Sequence, residues 1–224
     1  MMPQVNETPK KKTDRVAVIL AGGGGRRMGG ADKGALMLGG RRLVDHVLAR
    51  LAPQTDHILI SGRHDYETGL PVLRDRDDGP LGPAAGLWAA LHWIEQNNLA
   101  TNGFLSAPVD GPFIPDNLFE RLSGGIGSAI ACDATGVQLA FAYWRCDPLH
   151  VALAAAPEQY GFPLKELADS LHAERVMFES ADAFLNINSP EDLKKIPVSD
   201  LPQVAQEMRD EILRWLYKNA KTGV

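Results

Sequence analysis

Glycine and positive charge meet in one short stretch of this chain. Gly22, Gly23, Gly24 and Gly25 run together, Arg26 and Arg27 follow, and Asp32 and Lys33 come after Met28, Gly29 and Gly30. Glycines let backbone N–H groups approach an anion with no Cβ in the way, and the basic side chains add charge. The apolar run Val16 to Ala21 in front has the composition of a strand buried on both faces, as in a parallel sheet. A buried strand ending in a glycine-rich basic loop suits a polyphosphate. The plainer reading is a βα turn with exposed basic residues. Two common phosphate loops are excluded. GxGxxG needs a third glycine where Arg27 or Met28 stands, and the Walker pattern needs Gly-Lys-Ser/Thr where Lys33 follows Asp32 instead.

A second chemical group sits further on. The run Gly103 to Val109 reads as a buried strand that delivers Asp110. A carboxylate at the C-terminal end of a strand, facing a phosphate loop, suits Mg²⁺, which prefers one or two carboxylates plus phosphate oxygens and water. By itself such an aspartate is more often a turn or helix-cap residue, and the phosphate loop and the sequence around it reverse that balance. Between the two groups lies Asp78 to Gly86, a Gly/Pro turn feeding a helix from Pro83 to about Gln96. A helix N-terminus there can accept an anion or a polar base edge.

The string Leu20-Ala21-Gly22-Gly23 through Arg27-Met28-Gly29-Gly30 to Asp32-Lys33 fits the nucleotidyltransferase signature LAGGxxxRMGGxDK. It closely resembles the molybdenum cofactor guanylyltransferase family, which joins GMP from GTP to molybdopterin. Asp110-Gly111-Pro112-Phe113-Ile114-Pro115 and Asn186-Ile187-Asn188-Ser189-Pro190-Glu191-Asp192-Leu193 are similar to two further family segments, and the resemblance covers about Val16 to Lys195. It implies a nucleotide-diphospho-sugar transferase type of fold. It implies catalytic roles for Arg27, Lys33 and Asp110, with Mg²⁺ on Asp110. Around the nucleotide it places Leu20, Ala21, Gly22, Gly23, Lys33, Ser61, Asp75, Gly82 and Asp110. Asn186 and Asn188 fall on the molybdopterin side, although Ser189, Pro190 and Asp192 also make a sound helix start. The family more often carries asparagine at the Ser61 position. Gly22-Gly23 and Pro80-Leu81 side with guanine over cytosine. A CTP-dependent molybdopterin cytidylyltransferase, a sugar-phosphate nucleotidyltransferase and a non-catalytic nucleotide-binding protein are the alternatives.

These groups need a scaffold. Leu43, Val44, Val47, Leu48 and Leu51 recur at helical spacing, and His57 to Ile60 and Leu70 to Leu73 read as strands. Ser128 to Cys132 and Val137 to Trp144 predict a hairpin. Helices are expected from Pro148 through Leu153 and from Phe162 to Leu171, and short strands over Val176 to Glu179 and Phe184 to Ile187. The expected architecture is a three-layer α/β/α sandwich, with a Rossmann-like, mostly parallel sheet and polar residues at the strand C-termini, where open α/β sheets bind ligands. The domain expected is 15–198, after a disordered N-terminal lead over 1–14 and before a C-terminal helical extension over 199–224. In that extension Val204, Met208, Ile212, Trp215 and Leu216 form a stripe that could cover a core edge or make a dimer contact. The sequence sets no oligomeric state.

With 224 residues, one large α/β domain fits. The net charge of −5 argues against a nucleic-acid footprint spread over the surface. Cys132 and Cys146 form no CxxC pair, and the six histidines lack ligand spacing. No apolar run approaches the roughly 20 residues of a membrane span. The polar, basic start lacks the apolar core of a secretory signal, so the cytoplasm is the expected location. Expected partners are GTP and molybdopterin, with proteins of the molybdenum cofactor pathway as further candidates; neither nucleic acid nor membrane is expected.

Overall fold

Val16 and Val18 pack into one apolar cluster, Ala17 and Ile19 into another, and all four are fully buried. The alternation of a strand thus puts a core on each side of β1 (Val16–Leu20), as a sheet covered on both faces requires. The computed structural model describes residues 13–22, 32–38, 41–156, 161–179 and 183–187. After β1 come β2 (Met37–Leu38), β3 (Arg41–Arg42), β4 (His57–Ser61), β5 (Val72–Leu73), β6 (Gly103–Pro108), β7 (Ala129–Asp133), β8 (Gly136–Arg145) and β9 (Glu174–Met177). The helices are α1 (Leu43–Leu51), α2 (Pro83–Gln96), α3 (Leu118–Ser123), α4 (Cys146–Ala154) and α5 (Leu164–Ser170).

Among the described residues seven strands form one sheet in the order β5-β4-β1-β6-β8-β7-β9, and β2 pairs with β3 in a separate antiparallel ribbon. Only β8 runs against the other six strands. One face packs on α1 and α3, through Val44, Val47, Leu51, Leu118 and Leu122. The other packs on α2, α4 and α5, through Leu87, Leu91, Leu149, Leu153 and Leu167. This is the expected three-layer sandwich. Inside it, Trp144 Nε1 donates to Ser106 Oγ at 2.9 Å, and that hydroxyl donates on to Ala140 O at 2.9 Å. The Trp144 and Ser106 side chains therefore satisfy one another inside the core.

Several boundaries move. The third strand is Val72–Leu73, not Leu70 to Leu73, and the last is Glu174–Met177, not Val176 to Glu179. Helix α4 begins two residues before Pro148 and α5 two after Phe162. The strand expected over Phe184 to Ile187 is absent. Phe184 takes φ 67, a left-handed conformation that breaks an extended run, and the chain opposite carries Pro112, which has no N–H for a ladder. The lead-in, apart from Thr13 and Asp14, and the C-terminal extension lie outside the described residues.

The β2–β3 ribbon is tied to α1 by His46, whose Nε2 lies 2.7 Å from Leu38 O. Burial, the largest cause, holds this imidazole below its ordinary pKa of 6.5. The unfolded chain then takes up a proton near that value while the folded chain resists it, so acid favours unfolding. His46 thus contributes stability that is full above pH 6.5 and declines below it. A denaturant midpoint measured down to mildly acid pH should fall in the wild type and fall less in His46→Gln.

Candidate functional site

The site forms where three parallel strands end together. Leu20, the last residue of β1, is in register with Ser61 of β4 and Pro108 of β6. Beyond it Ala21 N donates to Ser61 O at 2.8 Å, and Val109 N donates to Leu20 O at 3.1 Å. The strand pairing thus runs on to the point where Gly22 starts the glycine loop. A Cβ built on Gly22 would sit 3.8 Å from Ser61 O, an ordinary contact. Gly23 and Arg27 lie outside the described residues, as does all of 23–31.

Lys33 and Asp110 are brought together across 77 residues of sequence: Lys33 Nζ donates to Asp110 Oδ2 at 2.6 Å. The two side chains are 29% and 17% exposed, so the pair is shielded yet open to a ligand. Lys33 opens a short 3₁₀ turn, Lys33–Ala35. Asp32 caps that turn, its Oδ1 accepting from Gly34 N at 3.0 Å. Asp110 lies just beyond β6, in a turn closed by Gly111 N donating to Pro108 O.

Aromatic packing holds the Asp110 loop from behind. Gly111 lies so close to the Phe141 ring that a Cβ there would collide with its Cζ. Phe141 and Phe184 have centroids 4.8 Å apart, and Phe178 meets Phe184 edge-on at 5.1 Å. Phe184 N donates to Phe113 O at 3.1 Å and Ile187 N to Asp110 O at 2.8 Å. Asn186 is exposed in this clamp, with Oδ1 3.1 Å from a Cβ built on Gly111. It therefore sits beside Asp110; Asn188 lies outside the described residues. Gly111→Ala should shift the carboxylate and lower both activity and thermal midpoint, with a cost of about 1–3 kcal/mol for an overpacked site. A thermal melt read beside a rate would show both falls.

The other candidates lie toward β5. Ser61 is 3% exposed, and its Oγ lies against α2, where a Cβ on Gly86 would collide with it. Leu20 Cδ2 packs on the same glycine. Asp75 is exposed two residues past β5. Gly82 is the N-cap of α2 with φ 76 and ψ −150, and nothing lies within 4 Å of a Cβ there, so backbone conformation and not space favours glycine. Between these positions Arg76 grips Asp78 at 2.8 and 2.7 Å and holds its carboxyl down to about 2. Asp75 and Asp110 follow strands three places apart in the sheet, about 14 Å at the usual strand spacing.

Among the described residues no group of three His, Cys, Asp or Glu could hold a metal ion. Asp110 as one carboxylate still suits Mg²⁺, which is often bound through one or two carboxylates with the remaining ligands from phosphate and water. Two parts of the site escaped the sequence reading. Asp32 as cap of the lysine turn was legible in Asp-x-Gly, a pattern that favours a side chain bonding its backbone two residues on. Tyr66, whose Oη donates to Asp32 Oδ1 at 2.7 Å, carries no local signal. No helix among the described residues is long and apolar enough to cross a membrane.

The MobA-like NTP transferase domain matches residues 17–185. A relative from Cereibacter sphaeroides, named molybdenum cofactor guanylyltransferase, is 41% identical over 188 residues, covering 80% of this chain and 93% of the relative. One of the same name from Rhodopseudomonas palustris is 36% identical over 193 residues, with 79% and 88% covered. Among solved structures, molybdopterin-guanine dinucleotide biosynthesis protein A from Archaeoglobus fulgidus shares the fold, with TM-score 0.58, 24% identity, and 80% and 95% covered. So does 2-C-methyl-D-erythritol 4-phosphate cytidylyltransferase from Thermus thermophilus, with TM-score 0.57, 19% identity, and 89% and 100% covered. The domain match spans β1, Lys33, Asp110 and the strands that carry them, and on that extent the chain belongs to the MobA-like NTP transferase family.

Proposed function

We propose that this protein transfers GMP from GTP to molybdopterin and releases pyrophosphate. The Lys33–Asp110 pair at the C-terminal edge of β1 and β6 carries the reading. Relatives named molybdenum cofactor guanylyltransferase supply the acceptor and the base. An oxygen of the terminal phosphate of molybdopterin attacks the α-phosphorus of GTP. The new P–O bond forms as the bond to the bridging oxygen of the β-phosphate breaks, and that oxygen leaves with pyrophosphate. The attacking phosphate is already an anion, so no covalent enzyme intermediate is needed. Alignment and charge neutralisation are then the protein's task.

The residues divide that task along the sheet edge. The base lies toward Asp75 and Gly82, where a carboxylate can accept from the N1–H and N2–H₂ edge of guanine. The triphosphate lies over Leu20, Ala21 and Gly22 at the end of β1, and the family resemblance adds Gly23. Lys33 meets phosphate oxygens, and an ammonium has three donors, so its contact with Asp110 does not by itself prevent this. Arg27 is the second positive group, suited to a bidentate grip. Asp110 would hold Mg²⁺ arriving with the nucleotide, and the ion would supply screening of the phosphate charge. Asn186, beside Asp110, lies on the acceptor side, and the family resemblance assigns Asn188 to the same side.

Calorimetry with GTP, CTP and ATP, with and without Mg²⁺, tests the nucleotide half. The reading expects GTP to bind most tightly and more tightly with Mg²⁺. Preference for CTP would move the protein to cytidylyl transfer with the same residues, and no nucleotide binding would sink the reading.

A further inference from the structure

Tyr66 is fixed from both sides. The residue is 7% exposed, and it packs in the same cluster as Val44, Val47 and Ile60. Its carbonyl accepts from Arg42 Nη1 at 2.8 Å, and Arg42 grips Asp45 of α1 through Nε and Nη2, both at 2.8 Å. The residue holds φ 51 and its neighbour Glu67 φ 53, left-handed values that the surrounding contacts must maintain in non-glycine residues. From this anchored position Oη donates to Asp32 Oδ1 at 2.7 Å, the same oxygen that accepts from Gly34 N at 3.0 Å. Gly34 lies against the ring, and a Cβ there would sit 2.6 Å from Tyr66 Cζ.

The turn that begins with Lys33 is therefore bracketed. Asp32 before it is held by the phenol, Gly34 after it is pressed on the ring, and between them Lys33 reaches Asp110. Ring burial alone does not explain the hydroxyl, since phenylalanine would fill the space without desolvating a polar group. Burial first, and then the Asp32 carboxylate, raise the phenol pKa well above its ordinary value, which keeps the hydroxyl a donor. We propose that Tyr66 is a positioning residue, whose bond to Asp32 orients the 3₁₀ turn so that Lys33 Nζ meets the phosphates beside Asp110. This rests on the guanylyl-transfer reading and adds to it a residue outside the glycine loop.

Tyr66→Phe in the full chain is the test, because it keeps the ring and removes the one bond. The expected result is a fall in kcat of about ten-fold, the scale of a hydrogen bond to a charged group. KM for GTP and the thermal midpoint should change little. In a Lys33→Ala background the same substitution should lower kcat no further, since it acts through the lysine. A wild-type kcat in Tyr66→Phe, or an equal further loss without Lys33, would overturn the proposal. Hydrogen exchange at Gly34 N–H needs no substrate: Tyr66→Phe should speed it, and an unchanged rate would also overturn the proposal. If the wild type transfers nothing from GTP, the guanylyl reading fails, and the exchange rate still decides whether Tyr66 holds the turn.

Discussion

Replacing Asp110 by alanine should lower guanylyl transfer by about 10²- to 10³-fold, the scale of losing one aligned electrostatic group. The fold should survive. The loop around position 110 is held by Ile187 N on the backbone carbonyl of residue 110 and by Gly111 on Phe141, and neither contact uses the carboxylate. Loss of rate with an unchanged melt would mark a chemical role. Because the carboxylate is the proposed Mg²⁺ ligand, the variant should also need more Mg²⁺ to reach half of its own maximal rate. A variant with wild-type Mg²⁺ dependence would remove the metal from Asp110.

Lys33→Ala should cost a similar factor, about 10²- to 10³-fold in kcat. The lysine is 29% exposed, so its pairing with Asp110 is partly screened by water and adds little to stability. The expected loss is therefore catalytic. Lys33→Arg should recover only part of the rate, because a planar fork does not replace a compact charge at the same point. Single-turnover rates separate this from weaker binding. Full recovery by arginine would mean that charge suffices there and that the turn's geometry does not matter.

The sheet was legible because its strands carry the plain signals of burial. The runs at Val16, His57 and Gly103 are apolar and lead into glycines, Ser61 and Asp110 respectively, and these are the strands that the structure pairs in register at the site. Asp110 and Lys33 were legible as groups gathered at one end of the sheet because each follows such a strand, and the structure pairs them there. What escaped was set by contacts between distant segments. Phe184 to Ile187 reads as a strand by composition, yet it forms no strand and clamps the Asp110 loop. Tyr66 sits among polar residues with no period, and only the fold brings it to Asp32, 34 positions away. Ser61 was named for the nucleoside, and the structure puts its hydroxyl against α2 at 3% exposure, a placement that strand composition could not give.

The central claim is best tested by the product. Purified full-length protein would be given GTP labelled at the α-phosphorus, molybdopterin and Mg²⁺, with CTP and ATP in parallel. The account predicts label transferred from GTP into a molybdopterin guanine dinucleotide, with one pyrophosphate released per dinucleotide formed. Label entering the molybdopterin product only from CTP, or no labelled dinucleotide from any nucleotide, would contradict it.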